Sequence, residues 1–177
     1  MEGGEGLKKK PIEYPYIPEG RKIEYVPMNN EFIQAAKRFA FEHSLDRHMP
    51  TGSVVVVEGE IVGFGANGSD YHENNECERK KLGSKTGTDY DKCEGCHPKN
   101  HSEPRAIADA LSKGQDIEGA DLYLWGHWWC CEPCWDSMVD AGIQHVYLAE
   151  GSEELFNKES ERNIVNHQFD DVDESWK

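Results

Sequence analysis

The residues able to do chemistry in this chain fall in two short groups: His101-Ser102-Glu103, and Cys131-Glu132-Pro133-Cys134. Two thiolates and one imidazole make three soft or borderline ligands, a set that suits zinc and leaves a fourth tetrahedral position for water. Such an ion acidifies its water from the bulk value toward neutrality. Glu103 lies two residues beyond the histidine, placed to reach that water rather than the metal, and a carboxylate there can both accept and return a proton. The competing reading is a closed structural site, which needs a fourth protein ligand; Cys130 is the candidate for it.

Each group must sit at the start of a helix. Ile107, Ala110 and Leu111 fall on one helical face after His101, and Trp135, Met138 and Val139 on another after Cys131. Unpaired N–H groups and the positive end of the helix dipole favour anionic groups at such starts. Ala120–Trp125 reads as a strand delivering the chain to the cysteine pair, and His145–Ala149 as the next strand. Earlier, Ser53–Val57 is a β-branched apolar run, Glu58-Gly59-Glu60 a turn, and Ile61–Gly65 the returning strand of a hairpin. Before the hairpin, Asn29 or Asn30 can cap a helix carrying Phe32, Ala35, Ala36, Phe39, Ala40 and His43 on one face. A helix over 153–163 and a short strand at Ile164-Val165 are expected to close the fold. The fold class is α/β: a three-layer α/β/α sandwich with a mixed sheet of about five strands, the first two antiparallel and the rest parallel. Residues 1–28, with several prolines among aromatic residues, read as an extended N-terminal arm. Residues 29–169 form the domain, with a polar insertion at 70–100, and 170–177 is an acidic tail.

The insertion carries His72, Cys77, Cys93, Cys96 and His97. Thirty residues of loop in a compact domain need something to hold them. Cys93-x-x-Cys96 has chelating spacing, and Cys77 with His72 or His97 would complete four ligands for a second zinc. Buried inert thiols are the alternative. Between the third strand and the cysteine pair stand His127, Trp128 and Trp129; the two indoles either wall a pocket and stack on a flat base or cover the core beside the sheet.

His101-Ser102-Glu103 with Ala106-Ile107, the cysteine pair, and Ala141-Gly142-Ile143 leading into Val146-Tyr147-Leu148 together resemble the cytidine and deoxycytidylate deaminase superfamily. Cys77-Glu78-Arg79-Lys80-Lys81-Leu82-Gly83, then Gly87 and Cys93, resemble its deoxycytidylate deaminase branch. The likeness runs over about residues 30 to 150. It implies a cytidine deaminase-like fold, a zinc-dependent hydrolase with Glu103 as the proton carrier, and His101, Cys131 and Cys134 as zinc ligands. It also implies that Asn67, at the end of the second hairpin strand, holds the substrate's sugar. Without the resemblance, Asn67 would be a plain turn residue. The branch can carry a second, structural zinc in the insertion. Two positions depart from the family pattern: Cys130 stands where a proline usually precedes the first cysteine, and Arg105 where an asparagine often follows the glutamate.

A formal charge of −15 excludes a groove built to track many phosphates, so nucleic acid is not an expected partner. A small anionic substrate could be held by local cations, for which Arg79, Lys80, Lys81 and Arg105 are in reach of the motifs. No apolar run reaches the ~20 residues that span a bilayer. Six cysteines at metal-like spacing read as reduced, hence a cytoplasmic location. The expected function is hydrolytic deamination of a cytosine nucleotide, deoxycytidylate to deoxyuridylate, by a homo-oligomer. Another nucleoside, a free base or a modified pyrimidine is the alternative substrate, and a non-catalytic zinc module the alternative class.

Overall fold

Five valines and an isoleucine crowd the hairpin, and in the computed structural model it forms the antiparallel half of one mixed sheet. The structure describes residues 16–46, 50–71, 75–83, 92–157 and 160–161. The elements run β1 (Ile23–Val26), α1 (Glu31–His43), β2 (Gly52–Val57), β3 (Glu60–Ala66), α2 (Glu78–Leu82), α3 (Ser102–Ser112), β4 (Asp121–Trp125), α4 (Glu132–Asp140), β5 (His145–Ala149) and α5 (Ser152–Phe156). A 3-10 turn, Pro98–Asn100, leads into α3. The five-stranded sheet has the order β1-β5-β4-β2-β3. Glu58 and Gly59, both at positive φ, join β2 to β3 as a tight two-residue hairpin turn.

β3 and β4 each run antiparallel to β2, which lies between them; the chain therefore leaves β3, forms α3, and returns in the same direction one strand further over. β4, β5 and β1 are parallel. The sequence places no strand before α1, yet Ile23–Val26 pairs with β5 from Ile23↔Val146 to Val26↔Ala149. The final part of the expected arm is thus the fifth strand. Its alternation sends Ile23 into one core and Val26 into the other. Just before it, the Tyr16 carbonyl accepts from Trp135 Nε1 at 2.9 Å, so the segment lies on the domain. The strand expected at Ile164-Val165 falls outside the described residues, and α5 is shorter than the helix expected over 153–163.

The sheet has a core on each face. One joins β2, β4 and β5 to α3 and α4 through Val55, Ala106, Leu122, Leu124 and Trp135. The other seats α1 and α5 on the opposite face through Ile33, Ala36, Val54, Trp125 and Phe156. Asn30 caps α1 by accepting from the backbone N–H groups of Phe32 and Ile33. The buried face of α3 is Glu103, Ala106, Ile107 and Ala110, while the expected Leu111 is 55% exposed. In α4 the buried positions are Cys134, Trp135 and Met138, with Val139 largely exposed. Both differences are rotations of about one residue, because each helix turns its ligand-bearing side inward.

Candidate active site

His101 is the residue before α3 and Cys131 the residue before α4, both in extended backbone. The sheet brings these two helix starts together. His101 Nδ1 lies 3.4 Å from Cys131 Sγ and 3.3 Å from Cys134 Sγ, and the two sulfurs are 3.0 Å apart. The edges of a zinc tetrahedron with Zn–S and Zn–N bonds of ordinary length are about 3.5–3.8 Å, so a small expansion of this triangle admits the ion. The protonation chemistry fits as well. Burial pushes the Cys134 thiol well above its ordinary range, with the Cys131 sulfur adding to the rise. Cys131 moves the other way, to about 6, through the neighbouring Cys134 and then His101, against the effect of burial. Partial burial of His101 would alone lower its pKa, yet Cys131, Glu103 and the Cys96 carbonyl raise it above its usual value. A dication at the centre would replace this sharing of protons, holding both sulfurs as thiolates and the imidazole neutral.

Glu103, on the first turn of α3, is 5% exposed. Its Oε1 accepts from Ser102 Oγ at 2.9 Å, and Ser102 Oγ is 2.8 Å from Ser53 Oγ on β2; both serines are fully buried. The Cys130 thiol also bonds to Glu103; burial first and this carboxylate's charge next keep that thiol protonated. Cys130 is therefore a donor to the carboxylate and does not stand among the three grouped metal ligands. Sequence reasoning missed Ser53 and Ser102. A hydroxyl in a β-branched run carries no signal of the partner it meets.

Of the residues expected to meet substrate, Asn67 and Arg105 are engaged with the scaffold. Asn67 Oδ1 accepts from Ser44 Oγ at 2.6 Å and from the Thr51 N–H at 2.8 Å, clamping the end of β3 to the end of α1 and the start of β2. Arg105 donates from Nη1 to the Ala66 carbonyl and from Nη2 to Asn100 Oδ1, each at 2.9 Å. Arg105 and Asn100 also line a cavity of 580 Å³ whose wall includes Tyr71, Glu94 and Lys99. Trp129 is 4% exposed and belongs to the core with Ala106 and Cys131; Trp128 is half-buried, edge-on to it with centroids 6.5 Å apart. His127 Nδ1 accepts from the N–H groups of Trp128 and Trp129, fixing the bend into the cysteine pair.

The insertion gathers a second group. The sulfurs of Cys77, Cys93 and Cys96 all lie within 4.8 Å of one another, with Cys77 and Cys96 3.7 Å apart, the edge of a zinc–thiolate tetrahedron. Cys77 is the residue before α2; burial raises its thiol, but the backbone N–H groups of Lys80 and Arg79 and the Cys96 side chain outweigh this and lower it. Cys96 is driven up to about 12, chiefly by burial. Of the two expected histidines, His72 lies outside the described residues. His97 Nδ1 accepts from the Lys99 N–H at the head of the 3-10 turn and is not among the three grouped ligands. Glu78 was not anticipated: Tyr71 donates to its Oε1 at 2.7 Å, its carboxylate bonds to Cys93, and its buried Oε2 has no hydrogen-bond partner among the described residues.

A mixed sheet that sets an imidazole and two cysteines at two helix starts, with a buried carboxylate beside them, defines a metal-site α/β/α domain of the nucleobase-deaminase type. Residues 27–150 match the model of the cytidine and deoxycytidylate deaminase zinc-binding region, and the chain belongs to that family. No curated protein matches the chain. Among solved structures, the dCMP deaminase of cyanophage S-TIM5 is 22% identical, over 68% of this chain and 82% of its own, with a TM-score of 0.47. A diaminohydroxyphosphoribosylaminopyrimidine deaminase/5-amino-6-(5-phosphoribosylamino)uracil reductase from Thermotoga maritima is 24% identical, over 66% of this chain, with a TM-score of 0.41; the match spans only 28% of that protein. Guanine deaminase from Bacillus subtilis is 21% identical, over 68% of this chain and 64% of its own, with a TM-score of 0.42.

Proposed function

We propose that the chain is a zinc-dependent hydrolase that deaminates a cytosine nucleotide, converting deoxycytidylate and water to deoxyuridylate and ammonia. The observation that carries this reading is the buried Glu103 carboxylate, held by Ser102 and Cys130 beside a three-ligand site that leaves one tetrahedral position for water. His101, Cys131 and Cys134 would hold a zinc ion that, when bound, would supply an acidified water as the nucleophile. Glu103 accepts the water proton and delivers it to ring N3 as oxygen adds to C4. It then takes the proton of the new C4 hydroxyl and passes it to the C4 amine, so that the C–N bond breaks as the C4=O bond forms and ammonia leaves. One carboxylate serving both transfers is the reason its geometry is fixed from two sides.

A specific observation favours a second substrate reading. Both guanidinium nitrogens of Arg105 that donate hydrogen bonds do so to the scaffold, Lys81 pairs with Glu76 at 3.1 Å, and Arg79 bonds to Cys96. Three of the four cations expected to hold a phosphate are thus engaged elsewhere, which suits an unphosphorylated nucleoside or base. Ammonia release across cytosine, cytidine, deoxycytidine, their monophosphates, and adenine and guanine compounds separates the two. The nucleotide reading expects deoxycytidylate to give the highest kcat/KM, and a preference for any unphosphorylated compound overturns it. In the same assay Glu103→Ala is expected to lose at least the 10²–10⁴-fold typical of a general acid–base group while retaining its zinc. Normal turnover by that variant removes Glu103 from the chemistry.

We propose further that Cys77, Cys93 and Cys96 hold a second zinc with a structural role. Metal analysis should find two zinc ions per chain.

A further inference from the structure

The two cysteine-containing groups meet at His101. His101 presents Nδ1 to Cys131 and Cys134, and its other nitrogen, Nε2, lies 3.2 Å from the carbonyl oxygen of Cys96. The loop behind that carbonyl is aligned with the start of α3. The carbonyls of Glu94 and Gly95 both accept from Asn100 Nδ2, at 2.9 and 3.3 Å. Asn100 Oδ1 in turn accepts from Arg105, and its own carbonyl accepts from the Gly68 N–H. Three successive carbonyls of the Cys93–Cys96 loop thus face the two residues that lead into the catalytic helix. A ligating imidazole takes its tautomer and ring orientation from whatever its second nitrogen bonds to. Here that partner is the backbone of a residue whose sulfur belongs to the other group.

We propose that the Cys96 carbonyl is the positioning partner of His101, so that metal bound by Cys77, Cys93 and Cys96 strengthens metal binding at His101, Cys131 and Cys134. This rests on the second-zinc reading above. With the three sulfurs gathered on an ion, the 93–96 turn is fixed and its carbonyl holds Nε2–H, leaving Nδ1 as the lone-pair nitrogen facing the two thiolates. Without that ion, the turn is held by hydrogen bonds and one ion pair, among them those to Asn100, Lys99 and Arg79, and the imidazole loses part of its preorganisation. Disturbing an outer partner of a ligating histidine typically costs about 10–100-fold in metal affinity.

The test is a metal titration of the full chain with a readout other than turnover. Zinc is counted per chain, and its release to a competing chelator is followed in the wild type, in Cys77→Ser and in His101→Ala; cobalt spectra identify the remaining site, because a three-sulfur and a two-sulfur site differ in their thiolate bands. The wild type should bind two ions. Cys77→Ser should bind one, at the His101 site, with affinity lowered about 10–100-fold, and His101→Ala should retain the ion at the three-cysteine site. Should Cys77→Ser not fold, titration of metal-free wild type answers the same question. The His101 site should then fill more tightly once the three-cysteine site is loaded. One ion per wild-type chain overturns the second-zinc reading and this inference with it. Two ions with unchanged affinity at the His101 site, loaded or not, overturn the coupling alone.

Discussion

Glu103 accepts from two donors of different kinds, and the difference matters for how firmly the carboxylate is aimed. Ser102 reaches Oε1 from the adjacent residue and is itself braced by Ser53 of β2, so the chain of hydroxyls runs from β2 to the Glu103 carboxylate with no exposed member. A hydrogen bond to a charged group is worth about 1.5–3 kcal/mol, enough that losing part of its orienting effect is expected to lower kcat about tenfold. Ser102→Ala should therefore reduce kcat with KM little changed, and Ser53→Ala, one bond further out, should cost less. Wild-type kcat in both variants would mean that the hydroxyls only fill space. Asn67 yields a companion prediction from its clamp on Ser44 and Thr51. Asn67→Ala orphans a buried donor and should destabilise the protein by about 1–3 kcal/mol, whereas Asn67→Asp keeps both acceptor contacts and should leave the urea midpoint nearer to wild type. At this scale the grouping of His101, Cys131 and Cys134 was legible, because their types and spacing are those a metal site requires. Ser53 was not, since its partner is 49 residues away and nothing local marks it. Cys130 read as a spare ligand because its thiol chemistry alone does not tell which neighbour it faces.

Between elements, α3 approaches β3 closely at two glycines. A Cβ added at Gly65 would run into the Ser102 carbonyl and the Ala106 nitrogen, and one at Gly63 into the Ala106 carbonyl and the Ala110 side chain. These alternate positions of the strand form a flat seat for the helix that carries His101 and Glu103. Gly65→Ala should lift the start of that helix, costing about 1–3 kcal/mol as overpacking and weakening zinc retention. An unchanged urea midpoint and unchanged zinc affinity would show that the helix is not seated there. The hairpin itself was legible from its valine run and its turn. The use of Gly63 and Gly65 was not, because a glycine within a strand signals close approach without naming what approaches. β1 escaped for a related reason. Four residues beside a proline carry little local signal, and their strand character comes from β5, more than a hundred residues later, which offers Val146–Ala149 as a parallel edge.

Over the whole molecule, the acidic excess sets two opposing responses to pH. Protonating carboxylates relieves self-repulsion in a chain of formal charge −15. It also disrupts the contacts of those carboxylates that the fold employs, and Asp109 is one that joins two elements. Its Oδ2 accepts from the Phe64 N–H of β3 at 2.9 Å and pairs with Lys113 one helical turn on, also contacting it through Oδ2 at 2.7 Å. Burial pushes the Asp109 carboxyl upward, but Lys113 and the Phe64 N–H outweigh it, so its folded pKa lies below the ordinary value. A depressed carboxyl contributes stability that is complete above its unfolded pKa, about 3.9, and is lost as pH falls through the lower folded value. Asp109→Asn keeps the shape and removes the charge. The variant should be less stable than wild type from pH 7 down to about pH 4.5, and the gap should narrow as pH falls below about 4. Comparing urea midpoints of the two proteins at each pH cancels whatever acid does to the metal sites and to the global charge. A gap of the same size at pH 7 and at pH 3.5 would show that the carboxylate's charge is not what ties α3 to the edge of the sheet.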